Sequence, residues 1–408
     1  MKKFFVLAAA ALVALAACTK IDTPSAVETS SKIGFEVASF IPQTKASAIT
    51  SESVYKFHTV ANQFPTVGSP VLFMDVDVLP WNGTTQVTAD NIASNNIQTW
   101  SPSEDYYWPK TGWINFYSYA GTHTPTVGNS TSDKKTVTFT YSDAVINASS
   151  NILVADAALH YGRTNSATET HQVDNSESSA HVTKGVPTLF RHQLAKLIID
   201  VEARTTDAKK SANTTWKVQV LSASTVDANY VSTITPINKG SLLLTSAEPT
   251  NATTGTYEWA KTNASTSNIS GWIPSTETET ISLSDSDVLT IDANTTGDGT
   301  KSTILAERSV MPQLTNGVGF KLTYKVQALH GSTVYLEEIR EVGITDAKTI
   351  SQLVSSVSSW QANQRITYHI IIDPVSEKVT FDPAVEEYVA TTGNTDVINV
   401  NENGLVTP

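Results

Sequence analysis

The chain has 408 residues, with 39 acidic against 27 basic side chains and a formal charge of −12 at pH 7. That balance excludes a phosphate-tracking nucleic-acid surface, which needs a basic stripe this sequence lacks. A single cysteine excludes a disulfide framework within the chain, and beyond residue 17 no apolar run approaches the roughly 20 residues of a membrane-crossing helix.

Met1 to Ala17 has the pattern of an export signal: Lys2 and Lys3, an apolar run from Phe4 to Val13, then Leu15-Ala16-Ala17 before Cys18. The Leu-Ala-Ala-Cys ending resembles a bacterial lipobox, so cleavage is expected before Cys18 and its thiol is the expected lipidation site. Loss of Lys2 and Lys3 moves the net charge from −12 to −14. Lys32 to Phe40 alternates Ile33, Phe35 and Val37 with polar or small neighbours, a strand period. The polar stretch Pro42 to Ser47 follows, open to proteases, with Lys45 and Ala46 flanking the candidate processing bond. The first 50 residues thus offer an anchor, one strand and an exposed basic residue.

Further strands are predicted at Val54 to Val60, Val71 to Val78, Trp113 to Tyr119 and Lys135 to Tyr141. Ile152 to Tyr161 fits helix or strand, and residues 162–184 are polar enough for a long loop or linker. Val186 to Val201 starts as an apolar-periodic segment and ends as a strand at Leu197 to Val201. Trp216 to Leu221, Ser241 to Leu244, Val288 to Ile291, Leu305 to Leu314, Gly319 to Ala328, Thr333 to Ile339, Arg365 to Asp373 and Lys378 to Phe381 continue the series. Ile350 to Val357 is the best helix candidate. Abundant Thr, Ser, Val and Asn favour strands joined by polar loops. The economical arrangement is all-β: two β-sandwiches split near residue 185. In the tail, Val397, Ile398 and Val400, then Leu405 and Val406, form short apolar clusters that fit a frayed terminus or a last strand of the protein's own sheet.

No constellation of residues supports catalysis, so no enzyme activity, cofactor or metal is expected: there is no nucleophile elbow, phosphate-cradling loop or paired-histidine zinc motif. Asp292 to Gly299 begins like a calcium loop, but Thr303 stands where the bidentate Glu belongs. His171, His181, Asp174 and Glu177 read as a solvated loop, and His192 as a packing histidine. The aromatic concentration around Trp100, Trp108 and Trp113 reads first as core, with a stacking surface for sugars as the competing reading.

Several stretches resemble one family. Tyr107-Trp108-Pro109-Lys110 with Gly112, then Phe116 to Ala120, resembles the aromatic signature of the fimbrillin-like (Mfa-like) lipoproteins of Bacteroidetes. Phe190, His192, Leu194, Ala195 and Lys196 are similar to the F-x-H-x-L-A-K segment opening that family's second domain, and Met311-Pro312-Gln313 to its "PQ" strand. Trp360, Asn363, Tyr368 and Ile370 resemble its C-terminal strand, and the lipobox and Thr44-Lys45-Ala46 step also match. The resemblance implies two transthyretin-like β-sandwich domains, residues 46–185 and 186–388, after a lipidated propeptide at 18–45. It implies a type V pilus subunit, whether stalk, accessory or tip. Such a precursor is anchored in the outer membrane by lipid, cut by a trypsin-like protease and then found in an extracellular fimbrium. Its partners would be other subunits, joined by strand exchange, and a host or bacterial surface ligand. The strand lost would be Lys32 to Phe40, and the tail, residues 389–408, is the candidate donor strand. The alternative is a surface lipoprotein that binds glycan through the aromatic cluster and does not polymerise.

Overall fold

The computed structural model describes residues 32–38, 56–81, 84–86, 99–109, 111–162, 185–205, 213–226, 236–250, 255–261, 269–275, 277, 281, 283–291, 301–314, 319–343, 359–375 and 378–387. Among these the chain is all-β apart from one short 3-10 turn, Ile269–Gly271, and no helix is long and apolar enough to cross a membrane. The first strands are β1 (Phe35–Ala38), β2 (Phe57–Phe64), β3 (Val71–Trp81), β4 (Thr99–Pro102), β5 (Trp113–Gly121), β6 (Thr126–Asn129), β7 (Thr136–Val145), β8 (Ile152–Ala155) and β9 (Ala157–Gly162). Next come β10 (Val186–His192), β11 (Ala195–Ala203), β12 (Thr214–Val226), β13 (Lys239–Ala247), β14 (Gly255–Tyr257), β15 (Ala260–Lys261), β16 (Trp272–Pro274) and β17 (Leu289–Ile291). The last are β18 (Lys301–Val310), β19 (Gln313–Leu314), β20 (Gly319–His330), β21 (Thr333–Gly343), β22 (Ser359–Trp360), β23 (Gln364–Asp373) and β24 (Lys378–Glu387).

Two four-stranded sheets are built from strands between Ala195 and Glu387. Sheets β18-β11-β23-β24 and β17-β12-β20-β21 share one core, to which β11 contributes Leu197 and Ile199, β20 Tyr324 and Val326, and β23 Ile366 and Ile370. β23 shows why: its buried residues alternate with half-buried ones, so one face is apolar and the other wet.

The N-terminal sheet departs from a simple sandwich. Its order is β14-β9-β5-β2-β3-β4-β1-β10-β8, and β5 also pairs β8. The pairing therefore closes a ring of seven strands: β5, β2, β3, β4, β1, β10 and β8. It closes because β5 divides its second edge, giving Trp113 to Phe116 to β9 and Tyr119 to Gly121 to β8. β8 and β9 are buried along their whole length, so they show no period; a continuous apolar run fits helix and strand equally well. Sheet β15-β13-β7-β6, with β16 on β13, covers this body through a core that includes Tyr117, Phe139, Leu159, Leu242 and Trp259. Residues after 185 contribute to both N-terminal sheets: β10 pairs β1 and β8, β13 pairs β7, and β14 pairs β9.

Candidate functional site

The site is the seat of β1. Four residues, Phe35 to Ala38, pair in parallel with Val186 to Leu189 of β10, while only Phe35 pairs with β4, opposite Trp100. The backbone adds a bond from the Ile33 N–H to the Tyr106 carbonyl at 2.8 Å and one from the Val186 N–H to the Gly34 carbonyl at 2.8 Å. One short strand therefore joins two edges of the ring, and its hold on β10 is the longer one.

Alternation sends Ile33 and Phe35 inward, where they are 2 % and 0 % exposed. Burying each contributes about 1.5–3 kcal/mol. The Phe35 ring meets Phe57 of β2 at 5.5 Å and 84°, and Phe116 of β5 at 5.6 Å and 88°. Both are edge-to-face contacts, in which the positive ring edge meets the negative face of its neighbour. Phe57 in turn contacts Phe190 of β10 at 5.4 Å and Trp100 of β4 at 5.7 Å, and Phe116 contacts Trp108 at 5.9 Å. The pocket wall is thus built by four strands and a loop, none of them β1.

The two ends of the seat are polar or tight. Before β1, Lys32 bridges to Tyr107 in the backbone and its amine lies 2.7 Å from the exposed Asp105 carboxylate. That hydrogen bond raises the Lys32 pKa, but an exposed pair of this kind contributes little to stability. Before β10, Gly185 has φ +97°, and a Cβ there would lie 2.6 Å from the Gly34 carbonyl carbon and the Phe35 nitrogen. β10 itself is fixed from its other side. Arg191 donates to both oxygens of buried Asp156, at 2.8 and 3.1 Å, and the Asp156 N–H bonds the Leu189 carbonyl at 2.9 Å.

Cys18, Lys45, Ala46 and the tail residues Val397, Ile398, Val400, Leu405 and Val406 lie outside the described residues. So do the helix candidate at 350–357, the calcium-like stretch at 292–299 and the loop histidines at 171 and 181. Of the three tryptophans in the glycan reading, two are buried and Trp113 is half-buried. Trp100 and Trp108 are 7 % and 3 % exposed within the core around Phe57 and Phe116. Trp113 stacks on Phe64 at 5.4 Å and 7°. The Trp100 and Trp108 rings, packed in this way, present no free face to a sugar. His192 is a packing histidine: it is buried, its Nδ1 lies 3.2 Å from the Asn151 side-chain oxygen, and burial, then the Lys196 charge, push its pKa well down. Sequence reasoning missed Gly185 and the Arg191–Asp156 pair. No periodicity marks either one, since both depend on strands distant in the chain.

No family model matches the chain, and no curated protein matches it. Among solved structures it is similar to a fimbrial protein from Bacteroides vulgatus, at 14 % identity and a TM-score of 0.44, covering 88 % of this chain and 99 % of that one. It is also similar to the tip fimbrial protein Mfa3 from Porphyromonas gingivalis with C-terminal truncation, at 9 % identity and a TM-score of 0.33, covering 87 % and 97 %. Both of these solved structures are fimbrial proteins.

Proposed function

We propose that the chain is a structural subunit of a surface fimbrium that gives up its first strand on maturation and receives one from another subunit. The observation that carries this reading is the position of β1, a short N-terminal strand that completes a closed ring and fills an aromatic pocket made entirely by other elements. A closed sheet has no edge; removing one stave exposes two edges, on β4 and β10, together with the pocket that Ile33 and Phe35 filled. An incoming strand satisfies backbone and pocket at once, which is strand addition at an opened sheet.

On this reading Cys18 holds the precursor at the outer membrane, and a trypsin-like cut at Lys45 frees the mature subunit for an extracellular fimbrium. Residues 46–185 and 186–388 are two transthyretin-like domains, with β10 and β13 to β16 lent across the boundary. The role is in assembly and adhesion, without catalysis. The test is low-dose trypsin on the purified full chain. A discrete product beginning at Ala46, followed by ladders on native gels when other subunits are present, is expected. A chain that loses residues 1–45 and stays strictly monomeric with every added subunit overturns the reading.

A further inference from the structure

We infer that the seat of β1 selects a strand carrying an aromatic side chain two residues after a buried aliphatic one, and that this strand comes from a different polypeptide rather than from the tail of a second copy. The inference rests on the reading of β1 as a removable strand.

The geometry of the pocket sets the requirement. Phe35 stands between two rings on neighbouring strands, Phe57 and Phe116, and meets both edge-to-face. The walls are also held by contacts other than those to β1. Phe57 is braced by Phe190 and Trp100, and Phe116 by Trp108. Walls braced from behind collapse poorly onto a smaller side chain, so an aliphatic residue at this position leaves a void and loses both ring contacts. Ile33, two residues earlier and 2 % exposed, fixes the spacing.

The tail of this chain does not meet the requirement. Residues 389–408 contain no Phe, Tyr or Trp. Ile398 and Val400 supply the two-residue spacing, but with an aliphatic side chain where the ring belongs, and the next residue on that face is Glu402. The tail of one copy would therefore fill the seat of the next only in part, and the fitting partner is a chemically distinct subunit whose donor segment reads aliphatic-x-aromatic.

The test uses the full chain cut once between residues 45 and 46, incubated with fluorescent synthetic peptides and followed by polarisation and by release of the 18–45 fragment. The probes are residues 31–38 (SKIGFEVA), the same peptide with Phe35→Leu, and residues 389–408. The native-sequence peptide is expected to exchange in. The Phe35→Leu peptide is expected to bind about tenfold more weakly, as the loss of two ring contacts implies, and the tail peptide more weakly still. Equal binding of the native and leucine peptides overturns the ring requirement. Tail binding as tight as the native peptide overturns the different-polypeptide assignment. If no peptide enters, the native sequence included, and the 18–45 fragment stays bound in denaturant short of unfolding, strand exchange itself falls and this inference with it.

Discussion

Gly185 lies so close to Gly34 that a Cβ on Gly185 would stand 2.6 Å from the Gly34 carbonyl carbon. The contact joins the residue before β10 to the residue before β1, at the point where the Val186 N–H donates to the Gly34 carbonyl. Gly185→Ala therefore adds two costs: a side chain at φ +97°, and a clash with the backbone of the strand in the seat. The intact chain is expected to lose about 1–3 kcal/mol in denaturant unfolding. Once the chain is cut and the seat emptied, the clash with Gly34 is gone and only the backbone strain remains. The penalty should then shrink, and a variant equally destabilised in both states would show that the contact plays no part in holding β1.

The Arg191–Asp156 pair gives a second prediction. Asp156, the residue between β8 and β9, is 6 % exposed and accepts two hydrogen bonds from the Arg191 guanidinium on β10. Arg191→Met keeps much of the side-chain volume but leaves a buried carboxylate without its cation. That should cost about 2 kcal/mol, moderated by the partial exposure of Arg191. Because the pair braces β10, the variant should also release the 18–45 fragment faster after cutting, measured as the dissociation rate of a labelled precursor. An unchanged rate would show that β10 keeps its position without this pair.

Much of the fold is legible in the sequence because it is written in a period of two. Residues 135–141 and 365–373 alternate apolar with polar side chains, and both are strands in the structure. β8 and β9 are ambiguous in the sequence because burial on both faces erases alternation. Ring closure leaves no local trace either, since it depends on β5 dividing its edge between two partners more than 30 residues downstream. At the site, Ile33 and Phe35 are legible as inward residues, but their pocket comes from Phe57, Phe116 and Phe190, which only the topology brings together. The dense tryptophans invite a binding surface for the same reason that they pack well, and composition alone does not tell the two apart.

His192 provides a pH-dependent prediction. Its imidazole is buried beside Asn151, and burial, reinforced by the Lys196 charge, holds its pKa well below the ordinary value of 6.5. The unfolded chain takes up a proton at this residue near pH 6.5 while the folded chain does not, so the unfolded state binds more protons in that window. Stability therefore falls as the pH drops below about 6.5, by up to about 1.4 kcal/mol per pH unit from this group. The loss continues until the folded-state pKa is reached and then levels off. In His192→Gln the slope of unfolding free energy between pH 6.5 and 5 should be shallower than in the parent. Equal slopes would show that other groups carry the acid sensitivity.

Glu248, just beyond β13, carries the last prediction. Its carboxylate lies 2.9 Å from Nε2 of His160 on β9 and 3.3 Å from the Lys135 amine, and it accepts a long bond of 3.4 Å from the Asn115 amide on β5. Asn115 also accepts the His160 backbone N–H at 2.8 Å, at a residue whose φ is +62°. A segment that follows residue 185 is thereby pinned to two strands of the N-terminal body. Burial on its own would raise the Glu248 pKa, but the hydrogen bonds and charges of His160 and Lys135 outweigh it and hold the carboxyl below its ordinary value of 4.5. A depressed carboxyl contributes stability that is present above its unfolded-state pKa and is lost as the pH falls through the folded one. Glu248→Gln keeps the size and removes the charge, so it should destabilise the protein at pH 7 by about 1–2 kcal/mol. The difference from the parent should narrow below about pH 4.5, as the parent's own carboxyl takes up its proton. Parallel curves for the two proteins across that range would mean that the contact acts through shape and hydrogen bonding alone, with the charge contributing nothing to the join between the segments.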